Sequence, residues 1–222
     1  MNFPFPKSEI PQTAQDSPCA SKQTKAAGVN DIFLTFDDGP NEPYTSQILD
    51  VLKEHQAMAT FFVCGKGVER FPQITRRILD EGHSLGNHAY SHSMLRTITG
   101  LLGKEIEKTS ELILKTTGAK THLFRPPWGV ATPWLKRYLK ANKYQTVLWD
   151  INSYDWTEIP ASSIEGIVLK KARPGAVILL HDGKNSKHHH DRSQTVQALP
   201  AIIKALRQKG FYLKGICSAE NH

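Results

Sequence analysis

Sulfur is scarce in this chain of 222 residues, which contains three cysteines, Cys19, Cys64 and Cys217. They lie far apart and form no Cys-x-x-Cys pair, so we expect no metal site built from thiolates. Three cysteines allow at most one disulfide, and the odd number argues against a disulfide framework. The fold must therefore depend on the burial of apolar side chains, for which a hydrophobic content of 39% is sufficient.

Long apolar runs and nucleic-acid motifs are also missing. No run approaches the roughly 18 apolar residues that a membrane-spanning helix needs, so we expect no membrane span. The N-terminal segment lacks the apolar core of a signal peptide, and the sequence leaves open whether a leader has been removed.

The net charge is +7, but no long Lys/Arg block, zinc-finger spacing or RNA-binding signature accompanies it, so we expect no nucleic-acid partner. The basic charge suits an anionic polymer such as a wall polysaccharide.

The beginning of the chain differs in composition from the rest. Four prolines occur there among Ser, Gln, Thr and Lys, which predicts a flexible N-terminal tail over residues 1–28. We assign residues 29–216 to a single domain and residues 217–222 to a C-terminal tail.

Short apolar runs alternate with amphipathic segments from residue 29 onwards. The apolar runs predict strands at residues 32–36, 59–63, 83–87, 122–124, 146–149, 175–180 and 211–213. Apolar residues at helical spacing predict helices at residues 43–56, 71–81, 101–117, 132–142, 161–172 and 193–209, the last one kinked or restarted at Pro200. This alternation implies an α/β fold, with a parallel sheet covered by helices. About seven such units favour a barrel over an open sheet.

Two histidines of one polar segment are separated by three residues. On a helical turn this spacing would place the imidazoles of His88 and His92 on one face, with about 5–6 Å between their Cβ atoms. Two neutral imidazoles at that separation can share one divalent metal ion, for which zinc is the first expectation. The alternative, a chance pair of histidines in a polar turn, stays open until a third ligand is found elsewhere.

Polar residues recur where the predicted strands end. The five clusters are Asp37 with Asp38, His88 with His92, Arg125, Asn152 with Asp155 and Trp156, and His181. In a closed parallel barrel the carboxyl ends of all strands meet at one face, where active sites lie. Each cluster alone has a structural interpretation, such as turn acids, a surface cation or a buried histidine. Their recurrence at successive strand ends favours one shared site.

Five ordered segments carry a resemblance to a known family. They are Thr35-Phe36-Asp37-Asp38-Gly39-Pro40, His88-x-x-x-His92, Arg125-Pro126-Pro127-Trp128-Gly129, Asn152-Ser153-Tyr154-Asp155-Trp156 and Leu179-Leu180-His181. In order and spacing they resemble the motifs of the polysaccharide deacetylases. This family is also called carbohydrate esterase family four, and its catalytic domain is called the nodulation-type deacetylase homology domain. The resemblance covers residues 30–216.

The resemblance carries expectations about both fold and activity. It implies a distorted (β/α) barrel of about seven parallel strands. It also implies a metal-dependent hydrolase that removes N-acetyl groups from an acetylated amino-sugar polymer or oligomer. The substrate would be of the chitin-oligosaccharide or peptidoglycan type, and a metal-bound water would be the nucleophile.

The same resemblance assigns the metal ligands and the groups that move protons. Asp38, His88 and His92 would hold one divalent ion, with zinc expected first and cobalt, nickel or manganese left open. Three N/O ligands leave positions free for water and substrate, as in a catalytic rather than a structural site. Asp37 resembles the general base of the family, and His181 resembles the general acid that amide cleavage needs.

The resemblance also assigns supporting roles. Arg125 would hold Asp37 by a charge-assisted hydrogen bond. The backbone N–H of Trp128 would stabilise the oxyanion, and Leu179 and Trp156 would form the apolar walls that receive the acetyl methyl. Trp128 stands where the family commonly has tyrosine, a change that leaves the backbone N–H unaltered.

One position departs more seriously from the family pattern. Asn152 stands where the family usually has an acid that supports the catalytic histidine. We expect Asn152 to orient His181 by a hydrogen bond without balancing its charge, which would lower the pKa of His181. Compensation by Asp150 or Asp155 stays open.

Two further histidine positions receive structural interpretations. His83 lies off the face shared by the histidine pair, and we expect it to be structural. The run at residues 188–190 is expected to lie in a solvated polar loop, with loose metal binding or substrate contact as alternatives.

Two other functions compete with deacetylation. One is a carbohydrate-binding wall protein with a degenerate site, against which the full set of candidate residues argues. The other is a related hydrolase of a different amide, such as a cyclic ureide, although those relatives tend to alter the first motif. We expect an N-acetylated carbohydrate as partner, a monomeric protein and, from the family, a cell-envelope or secreted location. The polymer stays open among chitin oligomers, peptidoglycan and acetylated xylan.

Overall fold

A computed structural model describes residues 30–157, 159–183 and 191–217 of the chain. The predicted N-terminal tail, the histidine run at 188–190 and residues 218–222 lie outside these ranges. Among the described cysteines, Cys64 is free and buried, and Cys217 is disulfide-bonded. Within the same ranges, none of the helices is both long enough and apolar enough to cross a membrane.

Eight parallel strands form one curled sheet in the described part of the chain. They are Asp31–Asp37 (β1), Ala59–Val63 (β2), Ser84–Asn87 (β3), Leu123–Phe124 (β4), Gln145–Thr146 (β5), Ile151–Asn152 (β6), Val177–His181 (β7) and Tyr212–Leu213 (β8). Seven of them follow the order β5-β4-β3-β2-β1-β7-β6, and β8 pairs with the first residues of β1. The sheet curls into a half-barrel, and the prediction of a distorted parallel barrel is confirmed.

Eight α-helices cover this sheet in the described ranges. They are Tyr44–Glu54 (α1), Gly65–Arg70 (α2), Pro72–Asp80 (α3), Met94–Ile98 (α4), Leu102–Thr117 (α5), Pro133–Ala141 (α6), Ala161–Lys171 (α7) and Ser193–Gln208 (α8). The six predicted helices are all present. The helices α2 and α4 were not predicted, because six and five residues are too few to show an apolar period.

Tertiary contacts act on two of the predicted elements. Helix α8 is continuous through Pro200 and does not restart there, because buried residues on both sides of the proline hold it against the core; a kink at Pro200 stays a prediction. The strand predicted at residues 146–149 ends at Thr146. The carbonyl groups of Val147 and Leu148 accept hydrogen bonds from the side chain of Arg125 instead.

The central strand β1 has one face in the hydrophobic core and the other face toward the interior of the barrel. Side chains alternate along a strand, so Ile32, Leu34 and Phe36 point to one face and are completely buried in the core. Asp37 lies on the opposite face at the carboxyl end of β1. In the register of the sheet it pairs with Phe62 of β2 on one side and with His181 of β7 on the other. Core packing of β1 therefore fixes where Asp37 and His181 lie.

Candidate metal centre and active site

Three buried side chains with metal-binding atoms lie together at the carboxyl ends of β1 and β3. One ligand atom from each of Asp38, His88 and His92 lies within 4.8 Å of the other two. Oδ1 of Asp38 is 3.5 Å from Nε2 of His88 and 3.3 Å from Nε2 of His92. Neither carboxylate oxygen of Asp38 has a hydrogen-bond partner among the described residues. A buried carboxylate is costly unless a cation balances its charge, so this group fits a divalent metal ion.

The segment that carries the two histidines is a loop. Ala89 and His92 have positive φ angles of 62° and 52°, so the helical turn expected from the spacing is wrong. The backbone N–H of Ala89 donates to Oδ1 of Asn87, and its carbonyl accepts from the N–H of Gly65. These groups are therefore not available for helical hydrogen bonds. The loop still places the imidazole rings of His88 and His92 with their centroids 5.0 Å apart.

Both imidazoles can offer a lone pair to a cation. Nδ1 of His88 is 2.7 Å from the carbonyl oxygen of Arg125. Because a carbonyl only accepts, Nδ1 carries a proton, so a neutral ring has its lone pair on Nε2, where a cation beside Asp38 could accept it. Burial lowers the pKa of His92 to about 4, in spite of the charge on Asp38. The ring of His92 is therefore neutral at neutral pH, as a metal ligand must be.

Asp37 and Arg125 form a buried ion pair beside this group. Nη1 of Arg125 donates to Oδ1 of Asp37 at 2.7 Å and to the hydroxyl of Thr35 at 2.8 Å. The guanidinium is completely buried and lies over the ring of Phe62, 4.1 Å from its centroid. The other oxygen of Asp37, Oδ2, is 3.7 Å from Nε2 of His88. Arg125 thus holds one carboxylate oxygen, as the family resemblance implies, while the second oxygen faces the metal-binding group.

Asp155 holds His181 at the end of β7. Nδ1 of His181 is 2.8 Å from Oδ1 of Asp155, and the backbone N–H of His181 donates to Oδ2, also at 2.8 Å. The hydroxyl groups of Thr195 and Ser153 donate to the same carboxylate. Every oxygen of Asp155 is therefore engaged, which fixes the ring of His181 and leaves its Nε2 available for proton transfer.

The expectation that Asn152 supports His181 is wrong. Oδ1 of Asn152 accepts a hydrogen bond from the backbone N–H of Tyr154 at 2.9 Å, an arrangement in which asparagine stabilises its own turn. The short 3-10 turn that follows, Asp155–Thr157, brings Asp155 to the ring instead. Burial by itself would lower the pKa of His181, but the charge and hydrogen bond of Asp155 raise it to about 9. The pKa of His181 is therefore raised, whereas a lowered pKa was expected from the sequence.

Aromatic residues lie at the edge of the buried group. Trp128 belongs to the short 3-10 turn Pro127–Gly129, has a φ of 61°, and places its ring centroid 4.8 Å from that of His92. Trp128 and Trp156 are 42% and 41% exposed, so both can still contact a ligand. Leu179 is buried on β7 and lies two residues before His181, hence on the same face of the strand.

Sequence reasoning missed one buried carboxylate next to the site. Asp182 follows His181, is 1% exposed, and accepts hydrogen bonds from the N–H of Gly39 and the hydroxyl of Thr45. A second acid directly after the histidine of the last motif was the available signal. His83 lies apart from these groups, where its Nδ1 accepts from the N–H of Ala59 at 3.3 Å.

Comparisons with known proteins agree on one family. The family model described as polysaccharide deacetylase matches residues 24–147. A chitooligosaccharide deacetylase from Rhizobium leguminosarum is 42% identical over 202 residues, which are 86% of this chain and 93% of that protein. A peptidoglycan-N-acetylglucosamine deacetylase from Bacillus cereus is 39% identical over 183 residues, which are 81% and 83% of the two chains. The solved structure of the peptidoglycan deacetylase PdaC from Bacillus subtilis gives a TM-score of 0.75 at 36% identity, with 84% and 87% of the chains covered.

Proposed function

The chain belongs to the polysaccharide deacetylase family, and from this premise we propose that it is a hydrolase of acetylated amino sugars. It removes N-acetyl groups from a polymer or oligomer of the chitin-oligosaccharide or peptidoglycan type. The observation that carries the proposal is the buried group of Asp38, His88 and His92, with the Asp37 carboxylate beside it. In the reaction water adds to the acetyl carbonyl carbon, the C–N bond breaks, and acetate and a free amine are released.

We propose that Asp38, His88 and His92 hold one zinc ion. The two unpaired oxygens of Asp38 and the two imidazole lone pairs are a donor set that zinc accepts. Cobalt, nickel and manganese accept similar donors, so the metal has to be identified by reconstitution. A divalent ion at this position supplies Lewis acidity, which lowers the pKa of water and polarises the acetyl carbonyl.

Asp37 is proposed as the general base. Its Oδ2 faces the metal-binding group, whereas Oδ1 is bound by Arg125 at 2.7 Å. The buried guanidinium fixes the direction of the free oxygen, so Asp37 can take the proton of the attacking water without reorienting.

His181 is proposed as the general acid. An amine leaves poorly unless it is protonated, so amide cleavage needs a proton donor close to the nitrogen. The raised pKa of His181, about 9, keeps the imidazolium form at neutral pH. Nδ1 is bound to Asp155, and the proton is therefore delivered from Nε2.

Trp128, Leu179 and Trp156 are proposed to bind the acetyl group. The backbone N–H of Trp128 would stabilise the oxyanion that forms on the carbonyl oxygen. Leu179 and Trp156 supply apolar surface for the methyl group. In support of this role, Leu179 lies on the same face of β7 as His181, and Trp156 directly follows Asp155, which binds His181.

Acetate release is the test of this function. N-acetylglucosamine oligomers, peptidoglycan and acetylated xylan are incubated with the protein, with and without a chelator, and freed acetate is measured. We expect release from an N-acetylated substrate, loss of release with chelator, and recovery with added zinc. Asp37→Asn should abolish release, whereas Asp50→Asn, an exposed residue paired with Arg77, should not.

Binding of the sugar without any acetate release, even with added metal, would contradict the proposal. We further propose that the protein acts as a monomer, because one chain supplies every residue of the site. Light scattering of the active protein tests this point.

A further inference from the structure

The loop after β1 holds its metal-binding residue in an unusual conformation. Asp38 has a φ of 76°, in the left-handed region that residues with a side chain rarely adopt. Its carboxylate makes no hydrogen bond to the described residues, so that side chain does not hold the loop in place. Another group must fix the direction in which Asp38 points.

Asp182 makes the contacts that bracket this loop. Its Oδ1 accepts the N–H of Gly39 at 3.1 Å, and its Oδ2 accepts the hydroxyl of Thr45 at 2.7 Å. The same hydroxyl oxygen of Thr45 accepts the N–H of Asn41 at 2.7 Å. One carboxylate and one hydroxyl therefore bind the backbone on the carboxyl-terminal side of Asp38.

The packing around Asp182 leaves little room for movement. A Cβ atom added to Gly39 would overlap the Asp182 carboxylate, and one added to Gly183 would overlap the backbone of Asp38. The N–H groups of Asp182 and Gly183 donate to the carbonyl of Asp37 at 3.2 and 3.3 Å. The end of β7 is thus joined to the loop through both backbone and side chain.

We propose that Asp182 is a positioning residue that, together with Thr45, fixes the loop after β1 so that the Asp38 carboxylate points at His88 and His92. The inference rests on the proposed function, because it takes Asp38 as a metal ligand. Asp182 is buried and acts through the loop. Groups that orient metal ligands typically contribute about 10–100-fold to metal affinity or activity.

The test compares zinc affinities of four variants with that of the wild-type chain by calorimetry. Thr45→Val removes the hydroxyl and Thr45→Ser keeps it. Asp182→Asn keeps the shape of the side chain but replaces one acceptor oxygen with an NH2 group, so one of its two hydrogen bonds is lost. Thr75→Val is the matched control, because Thr75 is equally buried on a helix and, among the described residues, its hydroxyl donates to the carbonyl of Phe71 in the first turn of its own helix. We expect about tenfold weaker zinc binding for Thr45→Val and Asp182→Asn. Thr45→Ser and Thr75→Val should stay within about twofold of wild type.

Turnover provides a second readout, because added zinc would not restore kcat in a variant whose defect is merely structural. If Asp182 and Thr45 act through metal placement, raising the zinc concentration should recover much of the kcat lost in Thr45→Val. KM for the sugar should stay unchanged, because neither residue touches the substrate. A loss of kcat that excess zinc does not reduce would contradict the proposal.

The possible outcomes separate this inference from the proposed function. If the wild-type chain binds no zinc or other divalent ion, the proposed function fails and this inference fails with it. If the wild type binds zinc and Thr45→Val binds it equally well, only this inference is overturned. An equal loss in Thr75→Val would also overturn it, because general loosening would then explain the effect. Should Asp182→Asn not fold, the comparison of Thr45→Val with Thr45→Ser decides.

Discussion

At the scale of single residues, burial makes the charged groups of the site depend on one another. Arg125 is completely buried and Asp37 is 3% exposed, and they bind each other at 2.7 Å. Separating such a pair leaves an uncompensated charge in the interior, which costs far more than the loss of a surface ion pair. We therefore expect that a substitution of either Arg125 or Asp37 lowers both the activity and the free energy of unfolding.

Arg125→Met should lower the free energy of unfolding by about 3–5 kcal/mol, because it leaves the Asp37 carboxylate buried without a partner. The double variant Arg125→Met with Asp37→Asn should lose less than the sum of the two single changes. Denaturant unfolding measures both, and additive losses would contradict the coupling. Arg173→Met, which breaks the exposed pair with Asp150, should cost at most about 1 kcal/mol.

The pH dependence of kcat should report His181. A general acid works only while it is protonated, so the raised pKa keeps activity up to about pH 9 and activity falls as the pH rises through that value. Asp155→Asn removes the charge that raises this pKa, and the alkaline limb should move down by about one pH unit or more. Asn152→Ala should leave the limb where it is, because Asn152 bonds to Tyr154. If the alkaline limb of the pH profile of kcat did not move in Asp155→Asn, a group other than His181 would be responsible for that limb.

The candidate residues could be found from the sequence because the strand ends place them. Asp38, His88 and His92 follow β1 and β3, and their convergence required only the barrel. The partner of His181 was harder, since three nearby side chains with acceptor oxygens were candidates. Asp150 bonds to Arg173, and Asn152 bonds within its own turn. Which acceptor reaches the ring depends on a turn whose direction the local sequence does not reveal.

At the scale of elements, the turn after β4 presents two consecutive residues in the left-handed region. Trp128 and Gly129 have φ angles of 61° and 69°. A Cβ at Gly129 would also lie 2.7 Å from the ring of Trp149. The turn therefore requires glycine at position 129 for both conformation and space. The direction of the Trp128 backbone N–H depends on the conformation of this turn.

Gly129→Ala should displace this turn and reduce kcat by about tenfold or more, since one oxyanion donor contributes about 100–1,000-fold when lost entirely. The matched control is Gly118→Ala at the end of α5, where φ is 75° and an added Cβ meets nothing within 4 Å. The positive φ should cost each variant about 1–2 kcal/mol of stability, and the overlap with the ring of Trp149 should add to the loss in Gly129→Ala. Only Gly129→Ala should slow acetate release, and equal kinetics in the two variants would contradict a role for this turn.

Long elements were predicted better than short ones. The apolar strands around Phe36 and Leu180, and the helix α5, carry enough periodic residues to define their type. The helices α2 and α4 are too short for a period. The loop of His88 and His92 was misjudged because tertiary hydrogen bonds, such as that from Gly65 to Ala89, override the local spacing.

At the scale of the whole molecule, a metal ion would connect two distant parts of the chain. Asp38 follows β1, whereas His88 and His92 follow β3, and the unfolded chain does not hold these ligands together. A ligand that binds only the folded state stabilises it by about 2.7 kcal/mol at one hundred times its dissociation constant. Metal binding should therefore raise the melting temperature as well as activity.

Thermal unfolding with chelator and with added zinc checks this expectation. The melting temperature should fall on chelation and recover with zinc, in step with acetate release. In His92→Ala the shift should be strongly reduced. If neither chelator nor zinc changed the melting temperature while both changed the activity, the ion would not bind at Asp38, His88 and His92.

The register between β1 and β7 has a consequence for how new specificities can arise. Asp37 and His181 are directly paired neighbours on two hydrogen-bonded central strands, so the distance between proton acceptor and proton donor is set by the framework. The segments beyond the strand ends can then diverge, lengthen or be exchanged without altering that distance. Grafting these segments from one homologue to another should therefore redirect the choice of polymer while the chemical step is inherited intact.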